Sequence, residues 1–218
     1  MKIIAHRGFW AGDEKENISS CEKNSLTAFK LATEHGFGIE TDFRDLNEEV
    51  VISHNPPNQN AMLASDFFKL IVPGQVIAVN VKSDGITDQL LDLWKRLAPK
   101  AVPFAFDMSI PDTIGYLKKD FPFLERQSEY EKSIVWDNSS GFWLDGFHSV
   151  WFGQEDILDL LEKGKPVFVV SRELHNQDPY PLWEMLREVM KKKAGCDVQL
   201  YLCTDRPFEA KRFFKEYV

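Results

Sequence analysis

Glu40 and Asp42 stand two residues apart in the run Phe37-Gly38-Ile39-Glu40-Thr41-Asp42-Phe43. The run has the composition of a β-strand, and on a strand residues two apart share a face. Both carboxylates therefore project to one side, with Phe37, Ile39, Thr41 and Phe43 on the other. Two anions side by side on a mostly apolar strand repel each other and lose hydration, and a cation between them relieves both costs. Other chemically able groups close further apolar runs. His6-Arg7-Gly8 follows Ile3-Ile4-Ala5, Ser53-His54 follows Val50-Val51-Ile52, and Asn80-Val81-Lys82 ends a third run. Histidine exchanges protons near neutrality. Arginine offers phosphate a planar pair of donors, and lysine offers a point charge. A phosphate ester repels nucleophiles and has a poor alkoxide leaving group; a metal offsets the first obstacle and a proton donor the second. These residue types point to metal-assisted phosphate chemistry. The competing arrangement pairs Glu40 and Asp42 with Arg7 and Lys82 and needs no metal.

Such residues meet only if the chain's elements bring them together. Strand-like runs are expected at Ile3–His6, Phe37–Phe43, Ile77–Lys82, Val102–Asp107, Phe123–Ser128, Phe142–Phe147, Pro166–Ser171 and Gln199–Asp205. Helical spacing lies between them. Leu26, Phe29 and Ala32 fall in a segment from Asn24 to His35 that stops at Gly36, and Leu90, Leu91, Trp94 and Leu97 fall in Thr87–Leu97. Pro111, Pro181 and Pro207 suit first helical turns, and Gly164 and Gly195 suit helix ends. Strand–helix alternation at about 27 residues per unit over 218 residues predicts an α/β fold, a compact (β/α)8 TIM barrel with short loops. The long connections are 9–23 and 44–73. An open doubly wound sheet has the same rhythm. The barrel is preferred because polar residues gather at strand C-termini, where barrels hold active sites: Asn80 and Lys82, Asp107, Arg126 and Ser128, Asp145, Ser171. No linker or repeat divides the chain, so residues 1–218 are expected to form one domain.

Composition sets the remaining limits. Hydrophobic residues make up 44% and aromatics 13%, which predicts a globular core rather than disorder. A net charge of −8 argues against a nucleic-acid partner and leaves room for a small anionic substrate in a locally basic pocket. Cys21, Cys196 and Cys203 are odd in number and lack metal spacing, so reduced thiols and a cytoplasmic protein are expected. No stretch approaches the ~20 apolar residues of a membrane span, so no stable membrane insertion is expected. The oligomeric state is not written in the sequence.

Taken together, His6-Arg7-Gly8, Lys23-Asn24-Ser25 with Ala28-Phe29, Ile39-Glu40-Thr41-Asp42 and Ser53-His54 resemble the glycerophosphodiester phosphodiesterases in order and spacing, from residue 3 to about 85. The resemblance implies hydrolysis of a glycerophosphodiester or related small phosphodiester, of the kind met in lipid metabolism, with a divalent cation, Mg2+ or Ca2+. Carried over by position, His6 and His54 become the acid/base pair, Arg7 and Lys82 the phosphate contacts, and Glu40, Asp42 and Asn80 the metal ligands. The chain departs from the family at Asn80, where a third carboxylate is usual, at Lys23, where Glu is frequent, and at Asn55, where Asp is common. The departure at Asn80 suggests a divergent bacterial-type branch. It also opens an alternative, a catalytically impaired phosphate-binding or scaffold protein on the same barrel. The retained histidine pair speaks for the enzyme.

Secondary candidates are weighed the same way. His35 suits a helix end. His148 and His175 lie in loops after the sixth and seventh strands and are expected to line the mouth or face solvent. Trp143 is expected to fill the core in preference to stacking on a ligand. Phe9, Trp10 and the Asp13–Glu16 run read as a solvated loop in preference to a lid. Asp107 and Asp145 are candidates for holding Arg126 and Lys82 in place.

Overall fold

The chain is an α/β fold with a mostly parallel central sheet. It is described here from a computed structural model covering residues 1–131 and 138–218. Two compact units emerge, one of Ile4–Phe123 and one of Met1–Ile3 with Leu124–Val218.

In the first unit the strands are β1 (Lys2–His6), β2 (Gly38–Leu46), β3 (Glu49–Ile52), β4 (Met62–Leu63), β5 (Val76–Val81) and β6 (Val102–Phe106); the last residues of β1 belong here. Its helices are α1 (Leu26–Glu34), α2 (Ala64–Phe68), α3 (Thr87–Leu97) and α4 (Ile110–Lys118). Strands β1, β2, β5 and β6 run parallel, with His6 opposite Glu40 and Asp42 opposite Asn80. All six residues of β5, Val-Ile-Ala-Val-Asn-Val, are buried, as expected of a parallel strand covered on both faces. Gly38 leaves room where β1, β2 and β5 crowd together: a Cβ there would lie 2.3 Å from the end of the Ile4 side chain and 3.0 Å from the Val76 carbonyl oxygen. Phe29, Phe43, Phe67 and Phe68 interlock behind β2 with ring centroids 4.8 to 5.9 Å apart.

The second unit holds β7 (Leu124–Gln127), β8 (Gly141–Leu144), β9 (Val167–Val170) and β10 (Leu200–Thr204), all parallel in that order. Its helices are α5 (Gln154–Glu162), α6 (Tyr180–Lys192) and α7 (Pro207–Phe213). Pro181 and Pro207 occupy first helical turns, and Pro111 does so in α4. Trp143 is a core residue stacked on Phe168. Among the described residues no helix is long and apolar enough to cross a membrane.

Each strand expected from the alternation is present. The segment after Phe43, expected as a long connection, differs. Strand β2 continues to Leu46, turns through Asn47 and Glu48, and returns as the antiparallel β3, which pairs in turn with β4. Asn47 and Glu48 both have positive φ, 50° and 68°, the requirement of a two-residue hairpin turn that follows the twist of its strands. Asn-Glu is a weak sequence signal for that turn because glutamate rarely adopts the left-handed conformation. The loop of Phe9 to Lys23 also has more order than a solvated connection. Phe9 is buried against His35 and Phe37, and Asp13 caps a short 3-10 turn at Glu14–Glu16.

Candidate active site

The C-terminal ends of β1 and β5 and the middle of β2 bring most of the candidates into one connected network. Glu40 is 1% exposed and Asp42 0%. One Glu40 carboxylate oxygen accepts the Arg7 backbone N–H at 3.1 Å and lies 3.8 Å from His6 Nε2; the other accepts from the Asn80 amide at 3.1 Å. Asp42 Oδ2 lies 3.3 Å from Arg7 Nε and accepts from Asn24 Nδ2 at 2.9 Å. Lys82 Nζ sits 3.7 Å from Asp42 Oδ1 and 3.5 Å from Asp107 Oδ2, so of the two candidate carboxylates it is Asp107 that holds Lys82. Burial pushes the Glu40 carboxyl up to about 6, helped by the neighbouring Asp42 charge and opposed by His6, the Asn80 hydrogen bond and Arg7.

Backbone conformation aims these groups. Arg7 sits at φ 57°, a left-handed angle that costs a non-glycine residue roughly 1–2 kcal/mol, and Asp107 is at φ 68°. Strain of this kind collects where a site over-determines its residues. Gly8 continues the turn at φ 79°, and a Cβ there would lie 2.8 Å from Ala28. Arg7 can therefore direct its N–H to Glu40 and its guanidinium to Asp42 at once.

His54 reaches the network by the hairpin. A strand continuing past Asp42 would carry the chain away from that level, whereas β3 returns, so that Ser53 N–H donates to the Asp42 carbonyl oxygen at 3.0 Å. Arg44 locks the return by donating to the carbonyl oxygens of both His54 and Lys82. His54 is exposed and its Nδ1 faces Asn55 Oδ1 at 3.1 Å; in the tautomer that donates from Nδ1 to that oxygen, Nε2 is the acceptor. Arg7 and His54 line one cavity of about 520 Å³, together with Lys23, Asn24 and Asn60.

Asn24 is the site residue that sequence reasoning left without a role. Its amide donates to Asp42 while its carbonyl oxygen accepts the Thr41 hydroxyl at 2.8 Å, so it ties down consecutive residues of β2. The available signal was an Asn just before the Ser25 N-cap of α1, at φ 54°. Asp145 is a correction. It pairs with His175 at 2.7 Å, and Arg126 is held by Glu131 at 2.6 and 2.8 Å. The hairpin-like closeness of Glu131 to Arg126, five positions on, favours that partner.

Among the described residues no three His, Cys, Asp or Glu side chains group to hold a metal ion. The convergence is instead two carboxylates and one amide. Asp42 Oδ1 and Asn80 Oδ1, on residues paired in register, are both buried and accept no hydrogen bond. Orphaned buried oxygens are costly, and an all-oxygen set suits Mg2+ or Ca2+. The donor set fits a divalent cation.

No family model and no curated protein matches the sequence. Solved structures do resemble it. A protein assigned as a glycerophosphoryl diester phosphodiesterase from Silicibacter pomeroyi DSS-3 is 13% identical with a TM-score of 0.68, the match covering 99% of this chain and 93% of that one. The glycerophosphodiester phosphodiesterase of Agrobacterium tumefaciens str. C58 is 17% identical with a TM-score of 0.53, covering 95% and 97%. At these identities the likeness shows the fold, an α/β architecture shared along nearly the whole of both chains.

Proposed function

We propose that this chain hydrolyses a glycerophosphodiester or related small phosphodiester, on a single (β/α)8 barrel domain spanning residues 1–218. The observation that carries the reading is the buried network joining His6, Arg7, Glu40, Asp42 and Lys82, with His54 folded back to the level of Asp42. A purely structural ion-pair set has no use for two histidines at its rim.

Arg7 and Lys82 hold the phosphate oxygens, one by a planar donor pair and the other by charge. His54 accepts at Nε2 the proton of the attacking oxygen as the new P–O bond forms; that oxygen is water's, or the substrate's own hydroxyl with water opening the resulting cyclic phosphate afterwards. His6 donates a proton to the departing alkoxide as the old P–O bond breaks, and Glu40 orients it. Asp107 positions Lys82, and Asn24 positions Asp42. Glu40, Asp42 and Asn80 are the residues that would hold Mg2+ or Ca2+, which when bound supplies Lewis-acid polarisation of a phosphoryl oxygen. The names of the two fold neighbours, both glycerophosphodiester phosphodiesterases, support this reading.

The test is hydrolysis of bis(p-nitrophenyl) phosphate with Mg2+ or Ca2+ present. His6→Ala and His54→Ala are each expected to lower turnover by roughly 10²–10⁴-fold with the thermal transition kept, the usual range for a lost proton-transfer group. Equal rates in wild type and both variants would remove the histidines from the mechanism.

A further inference from the structure

The second unit has its own polar edge, at the C-terminal ends of the parallel strands β8, β9 and β10, the side of an α/β sheet that receives ligands. Some of the polarity there is internal stapling. The Glu173 carboxylate takes the hydroxyls of Ser171 and Thr204 and the Asp205 N–H. The pair of Asp145 and His175 differs. Its atoms are 2.7 Å apart, yet the side chains keep 12% and 21% of their surface in solvent.

Aromatic rings frame this pair. Phe147 meets the His175 ring edge at 5.3 Å, and Tyr130, 68% exposed, packs on both Phe147 and His148. The Trp151 indole N–H donates to the Asp145 carbonyl oxygen at 2.7 Å while the ring stays 37% exposed. The loop carrying Phe147 is held in advance, because Glu129 accepts the N–H groups of Phe147, His148 and Ser149. Solvent-facing rings around a few polar groups are the composition of a small-molecule site. Its charge disfavours an anion. Arg126 is engaged by Glu131, Arg172 by the Gly146 carbonyl oxygen and Gln177, and Asp145 itself is acidic.

The geometry points to a binding site for a neutral ring polyol, a pyranoside or a cyclitol, on the Asp145–His175 pair and the surrounding aromatic rings. Ring C–H faces lie on Tyr130 and Trp151, and the carboxylate and imidazole take adjacent hydroxyls. An acyclic polyol presents no flat face and binds less well.

Saturation-transfer NMR tests this, with methyl α-D-glucopyranoside, myo-inositol and glycerol as probes and the whole chain as receptor. Transfer is expected to at least one ring probe and to exceed that to glycerol about fivefold, near 1 kcal/mol. Which ring probe responds separates glycoside from cyclitol. Asp145→Asn and Tyr130→Ala are each expected to cut the signal about fivefold, with thermal melting as the check on folding. Should Asp145→Asn fail to fold, Tyr130→Ala and Trp151→Ala, both at exposed rings, decide. No transfer to either ring probe, equal transfer to glycerol, or an undiminished signal in the folded variants would overturn the proposal. Since no hydrolysis is read, the outcome is independent of His6 and His54.

Discussion

Asn80 sets the charge of the candidate metal site. Its amide oxygen is orphaned and faces the right register, but it adds no Coulomb attraction to that of Glu40 and Asp42, and Arg7 and Lys82 already oppose a cation there. Asn80→Glu is therefore expected to tighten Mg2+ binding by about tenfold or more, near 1.4 kcal/mol, read by calorimetric titration of the phosphate-free protein. Equal affinities would show that charge count does not govern the site. Glu40 gives the second expectation at this scale. Its folded pKa, raised from 4.5 to about 6, penalises the charged form. The folded state then binds the proton more tightly, so the penalty is fully present above about pH 6 and gone below about pH 4.5. In chelator, Glu40→Gln should stabilise the protein at pH 7.5 by about 1–2 kcal/mol and lose that advantage by pH 4.5. A stability difference that does not change across this window would contradict burial as the dominant cause.

At the scale of elements, the β2–β3 hairpin decides where His54 ends up, and its turn is imperfect. Glu48 holds φ 68° while exposed. Glu48→Gly removes a left-handed cost of about 1–2 kcal/mol and forfeits somewhat less in unfolded-chain entropy. A net gain of about 0.5–1 kcal/mol is expected, seen as a Tm rise of roughly 1–4 °C, with kcat unchanged. A fall in Tm would mean that the side chain, not the backbone, earns the turn its place. This element also marks the boundary of what could be read in advance. Apolar runs with polar ends announced β1, β2 and β5 and placed His6, Glu40, Asp42 and Asn80 on them, with Lys82 just past the end of β5, because period-two patterning is a local property. Residues 47 and 48 carry no glycine, so the return of the chain was illegible. Nor did any pattern announce the positive φ of Arg7 and Asp107 or the bridging amide of Asn24, since each is imposed by neighbours distant in sequence.

At the scale of the whole molecule, net charge and site charge diverge. The chain carries −8 overall, yet Arg7 and Lys82 converge beside Asp42. A metal and a phosphate bound together neutralise what neither neutralises alone. Mg2+ and inorganic phosphate are therefore expected to raise Tm jointly by more than the sum of their separate effects, with each tenfold of saturation worth about 1.4 kcal/mol or roughly 2–4 °C. Strictly additive shifts would indicate separate sites. The Asp145–His175 pairing was invisible to the overall charge: partner choice among carboxylates depends on which strand ends adjoin.

The return of β3 against β2 has one more consequence, for how such a protein can change over generations. The spacing of His54 from Asp42 is written in paired main-chain hydrogen bonds from Phe43–Ile52 to Leu46–Glu49. A single inserted or deleted residue there reverses the side of the sheet every later side chain faces. Past Ser53 the chain leaves the ladder, and Asn55, Asn60 and Met62 line the open cavity. The lining of that cavity can accordingly be remade by substitution or by length change in 55–61, while 43–52 behaves as a ruler whose graduations are inherited intact.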